Sequence, residues 1–177
     1  VEWLINHPEK IDLGFFSINT NDKAVEWVIK LPDKINCYWF FANNNDRAVD
    51  WIIQNLDKMD NYLYFSINTN DKAVEWMISH PDKIYCTWFS SNSNDKAVSW
   101  LLQNQSEIDR IDFSRNTNDK AVEWMIQHPH LIDYFEFSGN TNDKAVELMI
   151  SHSEEIYHEK FSSNTNDKAV EWMIQHP

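Results

Sequence analysis

The 177-residue chain carries 15 Lys and Arg residues against 28 Asp and Glu residues, which gives a formal net charge of −13. This balance argues against binding to a nucleic-acid backbone, which needs a dense face of Lys and Arg to release counterions. No apolar run approaches the roughly 18 to 20 residues of a membrane span, and the first residues lack the pattern of a signal peptide. We therefore expect no nucleic-acid partner and no membrane partner.

One phrase recurs along the chain at a nearly fixed interval. "NTNDKAVEWMI" occurs identically at 116–126 and at 164–174, with near copies elsewhere. Its Asp residue recurs every 24 or 25 positions, at Asp22, Asp46, Asp71, Asp95, Asp119, Asp143 and Asp167. Such a period indicates a repeat array, whose units bury their apolar faces against their neighbours. We expect a single continuous array over 1–177, with a partial repeat at each end, cut from a longer solenoid.

The first element of each repeat is predicted to be a helix, here called helix A. In the repeat at 71–94 the apolar residues have the i, i+1, i+4, i+5 spacing of one helix face. They are Ala73, Val74, Met77 and Ile78. Asn70 or Asp71 is placed to cap the start of this helix, because a short side-chain acceptor can bind a free backbone N–H there. Helix A should therefore span about nine residues.

A proline separates the second element, helix B, from the first. Pro81 breaks helix A and fits the first turn of a following helix, where its missing N–H costs nothing. We predict helix B from Pro81 to Phe89, as an α-helix or a looser 3₁₀ turn, with Ile84 and Phe89 in the core. The sequence thus predicts an all-α fold, a right-handed α-solenoid of about seven 24-residue repeats, each with an α-helix and a short α or 3₁₀ helix.

Tryptophan recurs at one position on helix A, and this recurrence indicates a ridge of side chains that pack between units. The ridge positions are Trp27, Trp51, Trp76, Trp100, Trp124 and Trp172. Leu148 takes this place once, and Leu supplies apolar bulk but neither an indole hydrogen bond nor a stacking platform. A row of ligand-stacking rings is the alternative.

Histidine recurs at the end of helix A, which raises the question of a metal site. Metal–ligand bonds are about 2 Å long, whereas successive copies of one solenoid position lie about 9 Å apart. Asn55 and Asn104 also occupy this position, so we predict a helix-boundary role. We expect no metal, no cofactor and no catalytic residue, because a catalytic group must converge with others in one cleft rather than recur along an array.

Each loop before helix A contains an Asn-x-Asn-Asp sequence, as at Asn116 and Asn118. These pairs are predicted to form turns and helix caps. A polar groove for an extended peptide backbone is the alternative.

Sequence variation is concentrated in the short insert between the Ile and the Phe of helix B. Exposed aromatic side chains favour protein contacts, so we take ten insert residues as candidates for partner binding. They are Tyr38, Trp39, Tyr62, Tyr64, Tyr85, Trp88, Arg110, Tyr134, Glu136 and His158. The alternative for the aromatic inserts, and for Trp39 and Trp88 in particular, is packing against the next unit.

The stretch "HPDKIYCTWFSSNSND" at 80–95 resembles the short Asn-rich helical repeats of giant-virus proteins of amoebae. It is also similar to the leucine-rich repeat variant, whose units stack an α-helix with a 3₁₀ helix. This chain has Thr, Ser or Asn between the paired Asn residues, where the viral pattern often has Pro, and it has Trp where the leucine-rich variant has smaller aliphatic residues. The resemblance implies an α-solenoid with an interaction role, in the cytoplasm of the host or producing cell or associated with the virion.

We therefore expect a non-enzymatic repeat scaffold that binds protein partners through the helix B inserts. The first alternative is a structural, virion or filament component without a specific ligand, which includes self-association or assembly. A modular nucleic-acid-binding repeat protein is the second alternative, opposed by the acidic inserts.

Overall fold

The structure, a computed structural model, describes residues 1–59 and 62–176. In these ranges all regular elements are α-helices or short 3₁₀ helices, and no strand occurs. The chain divides into two compact units, Val1–Trp88 and Phe89–Pro177. Each unit is described separately below.

The first unit contains four helices of type A that alternate with short helices of type B. In chain order these are α1 (Glu2–Ile5), α2 (Leu13–Ser17), α3 (Asp22–Val28), α4 (Cys37–Phe40), α5 (Asp46–Met59), α6 (Tyr62–Ser66), α7 (Asp71–Ser79) and α8 (Cys86–Ser90), the last of which runs into the second unit. Three 3₁₀ turns, Pro8–Lys10, Pro32–Lys34 and Pro81–Lys83, lie between an A and a B helix. Helix α5 is longer than its equivalents; Leu56 stands in it at the proline position and is buried.

The second unit repeats this order. Its helices are α9 (Asp95–Gln103), α10 (Arg110–Ser114), α11 (Asp119–Gln127), α12 (Tyr134–Ser138), α13 (Asp143–Ser151), α14 (His158–Phe161) and α15 (Asp167–Gln175). The 3₁₀ turns are Gln105–Glu107, Pro129–Leu131 and Ser153–Glu155. Helix A therefore spans nine residues in each full repeat of this unit, as predicted.

Helices pack against the equivalent helices of neighbouring repeats. In the first unit α1, α3, α5 and α7 form one consecutive series and α2, α4 and α6 form another. In the second unit the two series are α9, α11, α13, α15 and α10, α12, α14. This neighbour-to-neighbour packing of helix pairs confirms the prediction of an all-α solenoid of about seven repeats.

The core lies between the two helix series. On helix A the Ala, the Val and the Met of the repeated phrase are buried, as Ala73, Val74 and Met77 show. On helix B one Phe per repeat is buried: Phe16, Phe40, Phe65, Phe89, Phe113, Phe137 and Phe161. Full burial of one such side chain contributes about 1.5–3 kcal/mol, so these rings account for much of the attraction between the two series.

The prediction of one uninterrupted helix from Pro81 to Phe89 was wrong. The 3₁₀ turn ends at Lys83, Ile84 is extended with φ −72° and ψ 125°, and α8 begins only at Cys86. Ile11 and Ile35 are extended at the same place in their repeats. In this repeat the backbone N–H of Tyr85 donates outside the helix, to Oγ of Ser66 at 3.1 Å. Three later repeats have the same bond, to Ser90, Ser114 and Ser138.

Candidate interaction surface

The loops between helices form a ladder of buried Asn side chains. The amide of Asn116 donates to the carbonyl oxygens of Ser90 and Asn92, both at 2.9 Å, and its Oδ1 accepts from the N–H of Asn118 at 3.0 Å. Equivalent pairs of donated bonds are made by Asn43, Asn68, Asn140 and Asn164. These amides bind the protein's own backbone, so they do not line the polar peptide groove that was considered as an alternative.

The second Asn of each loop caps helix A and also binds the preceding repeat. Asn142 accepts from the N–H of Lys144 at 2.9 Å, as predicted for a cap, and donates to Thr117 O at 3.1 Å and to Asp119 Oδ1 at 2.7 Å. The Nζ of Lys144 lies 3.3 Å from the other oxygen of the same carboxylate. The amide of Asn142 and then the ammonium of Lys144 hold the pKa of Asp119 below its ordinary value.

Histidine closes the end of helix A, as the predicted boundary role requires. In His80, with the proton on Nδ1, the ring donates to the carbonyl of Trp76 at 2.9 Å and stacks on its indole with centroids 4.1 Å apart. Asn104 makes an equivalent bond to the carbonyl of Trp100 at 2.8 Å. Both side chains therefore add a hydrogen bond to a carbonyl group in the last turn of helix A. Within the described ranges, no three His, Cys, Asp or Glu residues are grouped so that they could hold a metal ion.

The Trp residues predicted as a ridge are half-buried and occupy packing positions. The ring of Trp76 meets core residue Phe65 of the preceding helix B with centroids 5.8 Å apart. The other five pairs, with separations of 5.6–5.8 Å, are Phe16–Trp27, Phe40–Trp51, Phe89–Trp100, Phe113–Trp124 and Phe161–Trp172. Edge-to-face pairs of this kind add about 0.5–1.5 kcal/mol beyond burial.

A row of aromatic side chains lies outside the core on the B helices of the first unit. We call it the aromatic row; it consists of Phe15, Tyr38, Trp39, Tyr64 and Trp88. The ring of Phe15 stacks on Trp39 at 6.1 Å between centroids, Tyr38 meets Tyr64 at 4.8 Å, and Tyr64 meets Trp88 at 5.9 Å. Four of the five side chains are exposed, by 69% at Phe15 and 38% at Trp88, and Tyr64 is half-buried.

The aromatic row arises from one position in the repeat, the residue directly before the core Phe. That position holds Phe15, Trp39, Tyr64 and Trp88 in the first unit. A side chain there projects from the short helix B beside the buried ring, so it covers the helix without entering the core.

Phe15 was not among the ten predicted binding residues, although it is the last residue of its insert and directly precedes the buried Phe16. The signal that could have identified Phe15 is the aromatic residue before the core Phe in the next repeats, Trp39 before Phe40 and Trp88 before Phe89.

Two of the ten candidate partner-binding residues are buried, which corrects their assignment to the surface. Tyr62 is 8% exposed, lies parallel to the ring of Trp76 at 5.9 Å, and has the Lys83 ammonium 5.1 Å from its ring centre. Glu136 is also 8% exposed. Both are held by neighbouring repeats, an effect that residue type alone does not reveal.

Glu136 is the centre of a charged cluster in the second unit. It accepts two bonds from the guanidinium of Arg115, at 2.8 and 2.7 Å, and one from the ammonium of Lys160 at 2.9 Å. Arg115 also binds Asp112 at 2.8 Å. The bonds from Arg115 and then Lys160 outweigh burial and lower the pKa of Glu136 to about 2.

The residue directly before the core Phe differs between the two units. It is aromatic in the first unit and charged in the second, at Asp112, Glu136 and Lys160.

The remaining candidates do not form one surface with the aromatic row. Tyr85 is 49% exposed in the first unit, and its ring makes no stacking contact in the described part of the chain. Arg110 is exposed but donates to the carbonyl oxygens of His130 and Leu131 at 2.9 and 3.1 Å. Tyr134 is half-buried, and burial raises its pKa, whereas His158 is exposed.

A shallow cavity of about 320 Å³ also lies in the second unit. Arg110, Phe113, Trp124 and Leu131 contribute to its walls. The guanidinium of Arg110 already binds two carbonyl oxygens there. The rest of the wall named here is apolar, so the cavity offers few groups that could bind a polar ligand.

The chain matches no protein-family model, no curated protein and no solved structure. None of the helices in residues 1–59 and 62–176 is long and apolar enough to cross a membrane. The repeated helical unit of about 24 residues with its Asn-rich loop is therefore what the structure establishes about classification.

Proposed function

We propose that this protein is a non-enzymatic helical-repeat scaffold that binds a protein partner through the helix B inserts of its first unit. The observation that carries the proposal is the aromatic row, in which Trp39 and Trp88 are 45% and 38% exposed. Phe15 is in ring contact with Trp39, Tyr64 is in ring contact with Trp88, and Tyr38 is in ring contact with Tyr64. Clustered Trp and Tyr are enriched at the hot spots of protein interfaces, and a contiguous exposed apolar patch is uncommon without a partner.

The non-enzymatic part of the proposal is supported by the use of the polar residues. The recurring His and Asn side chains bind backbone carbonyl groups within the repeats, as at His80 and Asn116. A side chain that acts as a nucleophile or general base must be available to the reacting atoms of a substrate. These side chains instead hold the scaffold together.

A protein partner fits the surface better than nucleic acid. Bases could stack on the aromatic row, but a chain with a net charge of −13 repels the phosphate backbone. We therefore expect no measurable DNA or RNA binding at about 150 mM salt. A submicromolar, sequence-selective complex in a gel-shift assay would reverse this ranking.

The resemblance to Asn-rich repeats of giant viruses of amoebae rests on the sequence alone. From it we propose that the protein acts in the cytoplasm of an infected cell or in association with a virion. Detection of the protein in purified particles or in infected-cell cytoplasm, by mass spectrometry, tests this origin independently of the binding surface.

A displayed library of random peptides tests the binding function directly. Peptides are selected on the wild-type protein and then compared on the double variant Trp39→Ala, Trp88→Ala and on a matched control, Tyr157→Ser, whose exposed ring lies in the second unit. We expect enriched peptides to lose at least about tenfold in affinity on the double variant, as hot-spot residues do, and to keep their affinity on the control. Selection that enriches nothing, or peptides that bind the double variant equally, would refute the proposal.

A further inference from the structure

The cavity of the second unit corresponds to a position that a tyrosine ring fills in the first unit. Arg110 and Trp124, which form part of its wall, stand at the repeat positions of Tyr62 and Trp76. The Tyr62 ring lies parallel to the Trp76 indole, with centroids 5.9 Å apart and an interplanar angle of 6°, and it is buried. The repeat therefore already holds one aromatic ring at this position.

Arg110 leaves the corresponding volume open in the second unit. Its guanidinium donates through Nη2 to the carbonyl of His130 at 2.9 Å and through Nε to that of Leu131 at 3.1 Å. These bonds hold it at the backbone of the 3₁₀ turn Pro129–Leu131, and the side chain is exposed. A cavity of about 320 Å³ remains beside the indole of Trp124.

The other ring contacts of the two indoles are the same. His128 stacks on Trp124 with centroids 4.3 Å apart, as His80 does on Trp76 at 4.1 Å. Each indole also meets the core Phe of the preceding helix B at 5.8 Å. Within residues 1–59 and 62–176, His128 is the one ring that stacks on Trp124. The neighbour that Trp124 lacks, relative to Trp76, is a planar ring of phenol size.

The size and the lining of the cavity fit such a ring. An apolar cavity of about 150 Å³ can bind benzene, so about 320 Å³ accommodates one aromatic ring with a small substituent. Ile108, Met125 and Leu131 contribute apolar wall. Leu131 stands at the repeat position of Lys83, whose ammonium lies 5.1 Å from the ring centre of Tyr62, so a neutral and apolar neighbour replaces that charge.

We propose that this cavity, which we call the ring pocket, binds a small neutral molecule with one phenol-sized aromatic ring. The ring stacks on Trp124 as Tyr62 stacks on Trp76, and Met125 and Leu131 supply apolar contacts. The ring pocket is separate from the aromatic row and does not rest on the proposed function. Its ligand is recognised by a flat apolar face, which every aromatic ring of this size presents.

A titration with phenol, followed by ¹H–¹⁵N NMR, tests the inference. The nine Trp residues each give an indole N–H signal, and the Trp124→Leu variant identifies the signal of Trp124. We expect this signal to shift saturably with a Kd of about 1 mM, an affinity within the limit for so small a ligand. Cyclohexanol has a similar size and the same hydroxyl group but no aromatic face. It should bind roughly 2- to 10-fold more weakly.

Variants at the exposed Arg110 separate an occupied pocket from an open one. Arg110→Tyr introduces the ring that the first unit uses, so it should fill the pocket and weaken phenol binding at least about tenfold. The matched control Arg110→Ala removes the guanidinium without filling the volume and should keep the affinity of wild type. Circular dichroism should show that both variants are folded.

A second pair of variants removes the stacking face. Trp124→Leu should weaken phenol binding at least about tenfold, measured by saturation transfer to the phenol protons because the reporting indole is lost. Trp100→Leu, at the equivalent position of the preceding repeat, is the control and should bind phenol as wild type does. The fold accepts leucine at this position, since Leu148 occupies it in the next repeat.

Four results would overturn the inference. The absence of a saturable shift at Trp124, or shifts confined to the exposed Trp39 and Trp88, would mean that phenol does not enter the ring pocket. Undiminished binding to Arg110→Tyr would place the site elsewhere. Equal loss in Arg110→Ala and Arg110→Tyr would show that the guanidinium, rather than the open volume, holds the ligand. Equal affinity for phenol and cyclohexanol would contradict stacking on Trp124.

Discussion

Replacement of one buried Asn in the loop ladder should destabilise the repeat array strongly. Asn116 is fully buried, donates to two carbonyl groups of the preceding loop and accepts one N–H from its own loop. The Asn116→Ala substitution removes all three bonds and leaves Ser90 O, Asn92 O and Asn118 N without this partner. At a net value of about 1 kcal/mol per bond, and up to about 3 for a buried group left unsatisfied, the expected cost is about 3–5 kcal/mol.

Thermal unfolding followed by far-UV circular dichroism measures this cost. For a chain of this size a loss of 1 kcal/mol lowers Tm by about 2–4 °C, so a loss of about 3 kcal/mol predicts a decrease of roughly 6–12 °C. The control is Thr117→Ala at the adjacent exposed position, which should change stability by no more than about 0.5 kcal/mol. If both variants melt at the same temperature, the ladder does not stabilise the protein and this reasoning is refuted.

The isosteric variant Asn116→Asp distinguishes the stability lost with the two donated hydrogen bonds from the stability lost with side-chain volume in Asn116→Ala. Its carboxylate keeps an acceptor for Asn118 N but faces the carbonyl oxygens of Ser90 and Asn92. Burial and these oxygens raise the folded-state pKa of the new Asp above its unfolded value. A raised pKa means that stability is recovered as pH falls through it, because the folded protein then binds the proton more tightly. Acid should therefore narrow the gap to wild type, and a gap that widens would contradict the assigned donors.

Three further predictions concern other parts of the scaffold. Trp76→Ala should cost about 3–5 kcal/mol, whereas the double change Tyr38→Ser, Tyr85→Ser should cost no more than about 1 kcal/mol; equal losses in urea melts would place the two tyrosines in the core. His80→Asn should be nearly neutral and His80→Ala should cost about 1 kcal/mol, because Asn forms the same bond in other repeats; equal loss in both would contradict the carbonyl bond. Finally, the lowered pKa of Glu136 predicts stability that is present above its unfolded value and lost as pH falls from 4.5 toward about 2, so the advantage of wild type over Glu136→Gln should shrink there. An advantage that stays constant between pH 4.5 and 2 would contradict this assignment.

Features that depend on neighbours in the chain could be predicted from the sequence alone. The 24-residue period predicted the repeat architecture, and the apolar spacing in "NDKAVEWMI" predicted a helix A of about nine residues, which lies at Asp71–Ser79 in the structure. A cap was predicted at Asn70 or Asp71, and the Oδ1 of Asn70 accepts from the N–H of Lys72, only two residues away. Such local interactions are set by spacing, so a pattern of residue types is sufficient to identify them.

Features that depend on contacts between repeats were decided by the tertiary structure. Helix B is interrupted at Ile84, and the N–H of the next residue binds Ser66, 19 residues earlier. Among similar residues, Tyr62 is buried and Tyr38 is exposed, although both occur in aromatic inserts. Each result depends on which groups of an adjacent repeat come within contact distance, about 3 Å for the hydrogen bond to Ser66 and 5.9 Å between ring centroids for Tyr62 and Trp76. Residue type and local spacing do not contain that distance, since it exists only once the repeats have packed together.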